Sequence, residues 1–353
     1  MAVLGSVQKK FYLFCFMKKG ITIKDIARKL NMSVSTVSKA LNNNPSISVL
    51  TKERVQKLAK EWNYIPNEAA RHFKQNKSFT IGVIMPDLLD QFYVLAINGV
   101  EEVANKKNYN VIISQTHEDH EKETGIVENM IRNRVDGVII AISKNTRDVN
   151  MFKRLMHTGI PVVFFSRAFS EPEFDFVATD NEGGSFTAVK FLIDKGHTRI
   201  AHLMGPSFLR TTHQRLEGYK KALEKYGLTY DPELVVEVDL SPPQTYKAAK
   251  KLMELNDPPT AFFTFKNYVS LDVIKYLKKH HRELLDKTDI IGFGNLPLIK
   301  YLDYKPIASI DENSYEMGIE AANMIFKKIE MGGDATAGEG AHIKVPSKLV
   351  KNI

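Results

Sequence analysis

Two groups of residues in this chain have types and spacings that could do chemistry. The first is the stretch SVSTVSKALN at 33–42. It offers the hydroxyls of Ser33, Ser35, Thr36 and Ser38, the methyls of Val34, the ammonium of Lys39 and the amide of Asn42. Serine, threonine and valine are mediocre helix formers, yet the flanking residues read as helix. Small side chains let a helix backbone come close to a partner, where hydroxyls bond to several polar edges and a valine can meet a methyl group. The second group comprises residues at the ends of apolar runs, Asp87, Ser143, Ser166, Arg167 and Asn295 among them; an arginine in a cleft can hold a hydroxyl, carboxylate or phosphate. No serine–histidine–acid set has motif context and no glycine-rich phosphate loop occurs, so no catalytic residue and no cofactor is expected. HEDHE at 117–121 lacks the His-Glu-x-x-His spacing and opens a helix, where acids are ordinary, so no metal is expected either. HH at 280–281 reads as a solvated helix end.

The bulk numbers bound the partners. At 353 residues the chain is too long for one ordinary core. With 43% hydrophobic and 25% charged residues it has a globular composition, and its one cysteine, Cys15, fits a reducing cytoplasm. No apolar run approaches the ~18 residues that span a membrane. KKFYLFCFMKKG at 9–20 faintly resembles a secretion signal, but its apolar core is short and no cleavage site follows. Residues 1–16 read as an extension ahead of a natural start at Met17. Residues 17–79 hold thirteen Lys and Arg against four acids, which accounts for the whole net charge of +8. A basic head on a nearly neutral body attracts polyanions.

The head must position the first group. TIKDIARKL at 22–30 puts Ile23, Ile26, Ala27 and Leu30 on one helical face, with Thr22 as cap and Asp25 at the third position. Asn31 suits a tight left-handed turn. Ser33 caps a second helix, 34–42, with Val37, Ala40 and Leu41 inward. Ser48 caps a third, 49–62, whose apolar face is Leu50, Val55, Leu58, Ala59 and Trp62. Two short helices joined by a three-residue turn and backed by a third form a helix-turn-helix unit. On geometry alone, DNA binding and a protein-interaction bundle both stay open.

TIKDIARKLNMSVSTVSKALN, then NYIPNEAARHFK, then TIGVIMPD resembles the lactose-repressor/galactose-repressor (LacI/GalR) family of bacterial transcription regulators, from about Thr22 to the C-terminus. The resemblance implies that the second helix enters the major groove of double-stranded DNA. Val34, Ser35 and Lys39 would meet base edges, with Thr22, Ser33, Thr36, Ser38 and Asn42 at the backbone or as caps. Lys39 replaces the arginine usual there, without its two-pronged fit to guanine. Residues 66–79, bounded by Pro66, would be a hinge helix that forms only on DNA and enters the minor groove. Asn67, Ala70 and Lys74 would line it, and Phe73 would be the wedge between base steps.

The body alternates apolar runs, at 79–85, 110–114, 136–142, 161–165, 199–204, 260–265 and 289–294, with helices near 92–107, 120–134, 147–157, 181–195, 212–226, 244–256, 267–280 and 313–331. Such alternation predicts α/β architecture with buried parallel sheets. The resemblance implies two doubly wound lobes of periplasmic-binding-protein type, 80–179 with 310–337 and 180–309 with 338–353, crossing near 179, 309 and 337. A sugar or sugar derivative would lie between them, lined by Phe92, Tyr93, Ser143, Ser166, Arg167, Thr211, Arg215, Leu240, Lys266, Asn267, Gly294 and Asn295. Arg215 carries the clearest match, in R-L-x-G-Y. The family usually has Asn-Asp where Lys266–Asn267 stands, and aspartates where Gly294 and often Ser166 stand. Carboxylates lost and Lys266 gained predict an anionic effector, such as a phosphorylated sugar or a sugar acid; a degenerate pocket with no effector is the alternative.

These features predict a cytoplasmic homodimeric repressor on a near-palindromic operator. With no heptad tail after KVPSKLVKNI, tetramerisation through one is not expected. The rival reading is a solute-binding protein of the same core fold without a DNA role; it would need an export signal and no basic head. A corepressor-dependent or phosphoprotein-controlled regulator would share the fold and differ in what tightens DNA binding.

Overall fold

The computed structural model describes residues 21–65, 77–144, 146–167, 173–332 and 340–352. The expected extension at 1–16 and the hinge residues Asn67, Ala70, Phe73 and Lys74 lie outside the described residues. The chain divides into two units, Met1–Asn76 and Lys77–Ile353.

In the first unit, helix α1 (Ile23–Leu30) is capped by the Asp25 carboxylate, which accepts from the Thr22 N–H at 3.0 Å and from its hydroxyl at 2.6 Å. Asn31 turns the chain in the left-handed region (φ 52°), and the Met32 N–H closes the turn on the Ala27 carbonyl at 2.9 Å. Helix α2 (Val34–Leu41) starts where the Ser33 hydroxyl accepts from the Thr36 N–H at 3.0 Å. Ser48 caps α3 (Val49–Glu61) in the same way through Thr51, at 3.3 Å. Ile26, Ala27, Val37, Ala40, Val55, Leu58 and Ala59 form the core, with Ile47 and Trp62 against it. Leu50 does not join them: it is 67% exposed. The inward face of α3 runs through Val55, Leu58 and Trp62, and Leu50 falls about 100° of helix rotation off the position one turn before Val55; Ile47 covers that end instead.

The second unit begins β1 (Thr80–Met85), α4 (Gln91–Lys106), β2 (Asn110–Gln115), α5 (His120–Arg132), β3 (Gly137–Ile140), α6 (Asn150–His157), β4 (Val162–Phe165) and β5 (Asp175–Thr179). It continues through α7 (Asn181–Asp194), β6 (Ile200–Met204), α8 (Arg210–Lys225), β7 (Val235–Glu237), α9 (Pro242–Met253), β8 (Ala261–Thr264), α10 (Asn267–His280), β9 (Asp289–Phe293) and β10 (Ala308–Asp311). It closes with α11 (Ser314–Glu330), β11 (His342–Val345) and β12 (Lys348–Lys351).

Two six-stranded sheets result, in the orders β11-β5-β4-β3-β1-β2 and β12-β10-β9-β8-β6-β7. All pairings are parallel except β10 with β12. The inner apolar strands are buried on both faces, as parallel strands covered by helices must be; the expected run in the edge strand β2 is not, with Ile112 and Ile113 exposed. Both sheets reverse winding direction beside their first strand, and ligands bind outside the carboxyl ends of strands at such switch points.

The chain passes between the lobes at Asp180, at Glu312–Asn313 and at Pro346–Ser347. The crossover expected near 337 is therefore corrected: HIKV pairs in register with β5 before the chain leaves the first lobe. The four-residue strands β10, β11 and β12 were not expected, because polar and charged residues interrupt their apolar pattern. The helix that returns, α11, packs on α4 where two glycines meet. A Cβ on Gly318 would lie 2.0 Å from the Ala96 carbonyl oxygen, and one on Gly99 would lie 2.2 Å from that of Tyr315.

Candidate functional site

In the first unit, α2 turns Val37 and Ala40 into the core and leaves its other face open. Val34 is 42% exposed, and Ser35, Lys39 and Asn42 are exposed beside it. The Thr36 hydroxyl lies 2.8 Å from that of Ser33, so this pair serves the cap. Asn42 donates from Nδ2 to the Ser38 carbonyl at 2.8 Å and closes the helix end. Thr22 is engaged with Asp25. What remains free for a partner is a face of one valine, one serine and one ammonium.

In the second unit the carboxyl ends of the strands surround a cavity of about 270 Å³ between the lobes. Of the expected residues, Phe92, Tyr93, Ser166, Arg167, Thr211, Arg215, Leu240, Lys266, Asn267, Gly294 and Asn295 line it. Ser143 does not. It is buried, its hydroxyl lies 2.7 Å from that of Thr116, and its N–H donates to Glu123 at 2.6 Å; it borders a neighbouring recess instead. Ser166, Leu240 and Gly294 all have positive φ, 60°, 69° and 97°. Backbone strain of this kind, in a leucine above all, collects at ligand sites.

Arg215, in the second turn of α8, is 4% exposed. Its Nε donates to Asn181 Oδ1 at 2.9 Å, at the start of α7, and an Nη donates to the Phe265 carbonyl. Its Nη2 lies 2.7 Å from Glu312 Oε1. The guanidinium also sits 3.6 Å from the centre of the Phe293 ring and 4.5 Å from that of Phe265, a cation–π sandwich. Burial pulls its basicity down and Glu312 opposes this; burial pushes the Glu312 carboxyl up against the pull of Arg215. Both stay charged, because a guanidinium does not give up its proton in a protein. Asn181 and Glu312 belong to two of the three crossovers, so one side chain ties both.

Asn267, the first residue of α10, donates to the Gly294 carbonyl and to Ser309 Oγ, at 3.0 Å for the latter. Lys266 Nζ reaches across the cleft to Asp90 Oδ2 at 3.6 Å. Arg167 Nη1 donates to both oxygens of Glu118, at 2.8 and 3.0 Å. Tyr93 is 5% exposed, and its hydroxyl has no hydrogen-bond partner among the described residues. Burial pushes its ionisation far up, so it faces the cavity as a neutral donor.

The carboxylates absent at Ser166, Lys266–Asn267 and Gly294 are made up by acids from other positions. Arg167, Arg215 and Lys266 each hold a carboxylate partner, and Asp90, Asp311 and Glu312 line the same cavity. The compensating acids come from positions the motif comparison does not cover: Asp90 from the loop after β1, Glu312 from the end of the unexpected strand β10. Phe265, Tyr268 and Phe293 were also missed, although each adjoins a residue that was named. Among the described residues no group of three histidines, cysteines or acids could hold a metal ion, and no helix is long and apolar enough to cross a membrane.

Two family models match the chain. The model of bacterial regulatory proteins, lacI family, covers residues 22–67, and the periplasmic binding protein domain covers 81–334. The chain is 31% identical to the HTH-type transcriptional repressor CytR of Escherichia coli (strain K12) over 330 residues, 93% of each chain. It is 32% identical to catabolite control protein A of Priestia megaterium, over 87% of this chain and 92% of that one. Its fold matches the crystal structure of the Lac repressor dimer bound to operator and the anti-inducer ONPF, with a TM-score of 0.80 at 22% identity, over 94% of this chain and 98% of that one.

Proposed function

The chain belongs to the LacI family of bacterial regulatory proteins, DNA-binding transcriptional repressors, and on that premise we propose that it acts in the cytoplasm as a homodimer on a near-palindromic operator, under the control of an effector whose neutral, hydroxylated part is held in the main cavity between its lobes. It performs no catalytic step.

In this reading Val34, Ser35 and Lys39 meet base edges, because they form the face of α2 left free by core and caps. Thr22, Ser33, Thr36, Ser38 and Asn42 hold the helix end and its turn. Residues 66–76 make the hinge, with Phe73 as the wedge and Asn67, Ala70 and Lys74 beside it; Ser78 and Phe79, expected in it, bond to Asp136 of the body.

The observation that carries the effector class is charge compensation. Every cation lining the main cavity is already paired, so an anion there would have to displace a carboxylate from Arg215, Arg167 or Lys266. A neutral ring with several hydroxyls meets no such cost. Asp311, Glu312 and the Asn267 side chain accept from hydroxyls, Tyr93 donates, and Phe92 and Tyr268 supply flat apolar surface. A cavity of about 270 Å³ suits a monosaccharide or a nucleoside. Binding to both lobes changes their mutual approach and thereby the hinge, an order–disorder switch.

The test is genomic footprinting to find the operator, followed by gel shifts with and without neutral sugars and nucleosides. A neutral compound should change operator affinity. No bound DNA site, or response only to anionic compounds that carry no neutral hydroxylated ring, would overturn the reading.

A further inference from the structure

A second recess, of about 330 Å³, opens beside the main cavity and shares Ser166, Arg167, Leu209 and Thr211 with it. Its lining carries cations and no acid, where its neighbour's is balanced. Arg147 of the first lobe and Arg210 of the second converge on it, and neither has a carboxylate partner among the described residues. The other cleft arginines, Arg167 and Arg215, each pair with an acid, whereas on the outer surface Arg132 and Arg282 bond to the neutral Asn129 and Tyr304.

These two guanidiniums are not loose. Arg147 Nη1 donates to the carbonyls of Lys144 and Thr146, at 2.8 and 3.1 Å. Its guanidinium lies 5.1 Å from the centre of the Phe208 ring, on the opposite lobe. Arg210 reciprocates, 6.0 Å from the ring of Phe176 on the first lobe. Each cation is thus steered by a ring on the other lobe, with donors left over. Lys144 adds a third cation at the rim. The acids nearby are otherwise engaged: Glu118 holds Arg167, Glu123 accepts from Ser143 and Thr146, Glu237 accepts from the Ser207 N–H, and Asp239 accepts from Ser241. Arg210 also opens α8, whose cap Leu209 has no side-chain acceptor to offer the first N–H groups. Like charges brought together from two lobes repel unless a counter-anion sits between them.

We propose that this recess is a second compartment of the cleft and binds a phosphate-type oxyanion, bridging Arg147 and Arg210 and drawing the lobes together. The anion is either an ester group on the effector, whose neutral part fills the main cavity, or free phosphate; the proposal rests on the reading of the cleft as the effector site.

The full-length protein is titrated with inorganic phosphate at constant ionic strength, with chloride as control, and thermal melting and calorimetry are read. Phosphate should raise the melting temperature above the chloride control. Arg147→Gln with Arg210→Gln should weaken it more than tenfold, since each charged hydrogen bond contributes about 1.5–3 kcal/mol. Glucose against glucose 6-phosphate, and a nucleoside against its monophosphate, separate the sources: an ester that outbinds both its parent and free phosphate places the anion on the effector, and equal binding assigns the recess to free phosphate. No phosphate-specific stabilisation, or stabilisation unchanged in the double variant, overturns the proposal. If the double variant does not fold, each single variant is read in the same way. Neutral sugars and nucleosides titrated into the same variants report the main cavity separately, so its failure is not confused with failure of the recess.

Discussion

Arg215 Nη2 and Glu312 Oε1 lie 2.7 Å apart, with side chains 5% and 13% exposed. One residue stands on the second lobe and the other on the crossover that leaves it. The pair therefore joins a wall of the cavity to the path by which the lobes move. Buried ion pairs add little over an apolar substitute, but breaking one leaves a stranded charge.

Glu312→Ala should accordingly destabilise the body by about 3–5 kcal/mol. Urea unfolding would measure it, and Glu312→Gln, which keeps an acceptor for Arg215, should lose less. Equal stability of all three proteins would show that the guanidinium is satisfied by Asn181, Phe265 and the rings alone.

His202 offers a pH test. It is fully buried on β6, stacked 4.5 Å from Phe263 and 5.3 Å from Tyr219. Nδ1 contacts the Phe263 carbonyl at 3.1 Å, and Nε2 has no partner. Burial lowers its pKa from 6.5 to about 4. Between those values the unfolded chain takes a proton that the folded one refuses, so stability rises with pH across that window. The contribution is complete above pH 6.5 and is lost as pH falls to about 4, about 3 kcal/mol in all. His202→Phe should flatten this slope in denaturant midpoints taken from pH 4 to 7; an unchanged slope would assign the acid sensitivity elsewhere.

The crossing of α4 and α11 has no room for a methyl group. Gly318→Ala sets a Cβ 2.0 Å from the Ala96 carbonyl oxygen. The helices must part, at a cost of about 1–3 kcal/mol for overpacking. Gly125→Ala on α5, where a Cβ meets nothing within 4 Å, should be neutral or slightly stabilising. A thermal melt of both variants would distinguish local crowding from a general effect of glycine replacement.

Lys39 decides between two kinds of DNA contact. Lys39→Ala should weaken operator binding and lower the salt slope by about one, while Lys39→Arg should sharpen selection of a guanine at one position by about 1–3 kcal/mol. Anisotropy titrations over a salt series and a panel of substituted operators would measure both. A base preference lost on Lys39→Ala with the salt slope unchanged would mean that lysine already reads a base. Ser33→Ala is the control: it removes the α2 cap and costs about 1 kcal/mol of stability.

Local rules were enough for the head. Hydroxyls before helices, asparagine at a left-handed turn and apolar residues at helical spacing are short-range signals, and the structure differs only at Leu50. In the body, the apolar strands β1, β3, β6 and β8 were legible because full burial writes itself as a continuous apolar run. Strands β5, β7, β10, β11 and β12 were not, since charged or polar residues interrupt each of them and their partners are gained across the fold. The site divides in the same way. Arg215, Lys266 and Asn267 were visible as types at motif positions.

By itself the sequence determined the helix caps and turns, the basic head, the alternation of strand and helix, and which cations face the cleft, because each depends on neighbours a few residues away. Only the tertiary structure decided how those cations are balanced. Glu312 reaches Arg215 across 97 residues, Asp90 reaches Lys266 from the other lobe, and Arg147 and Arg210, which no sequence signal singled out, have no acid partner among the described residues. Charge compensation acts through space, over a few ångströms, and is indifferent to distance along the chain.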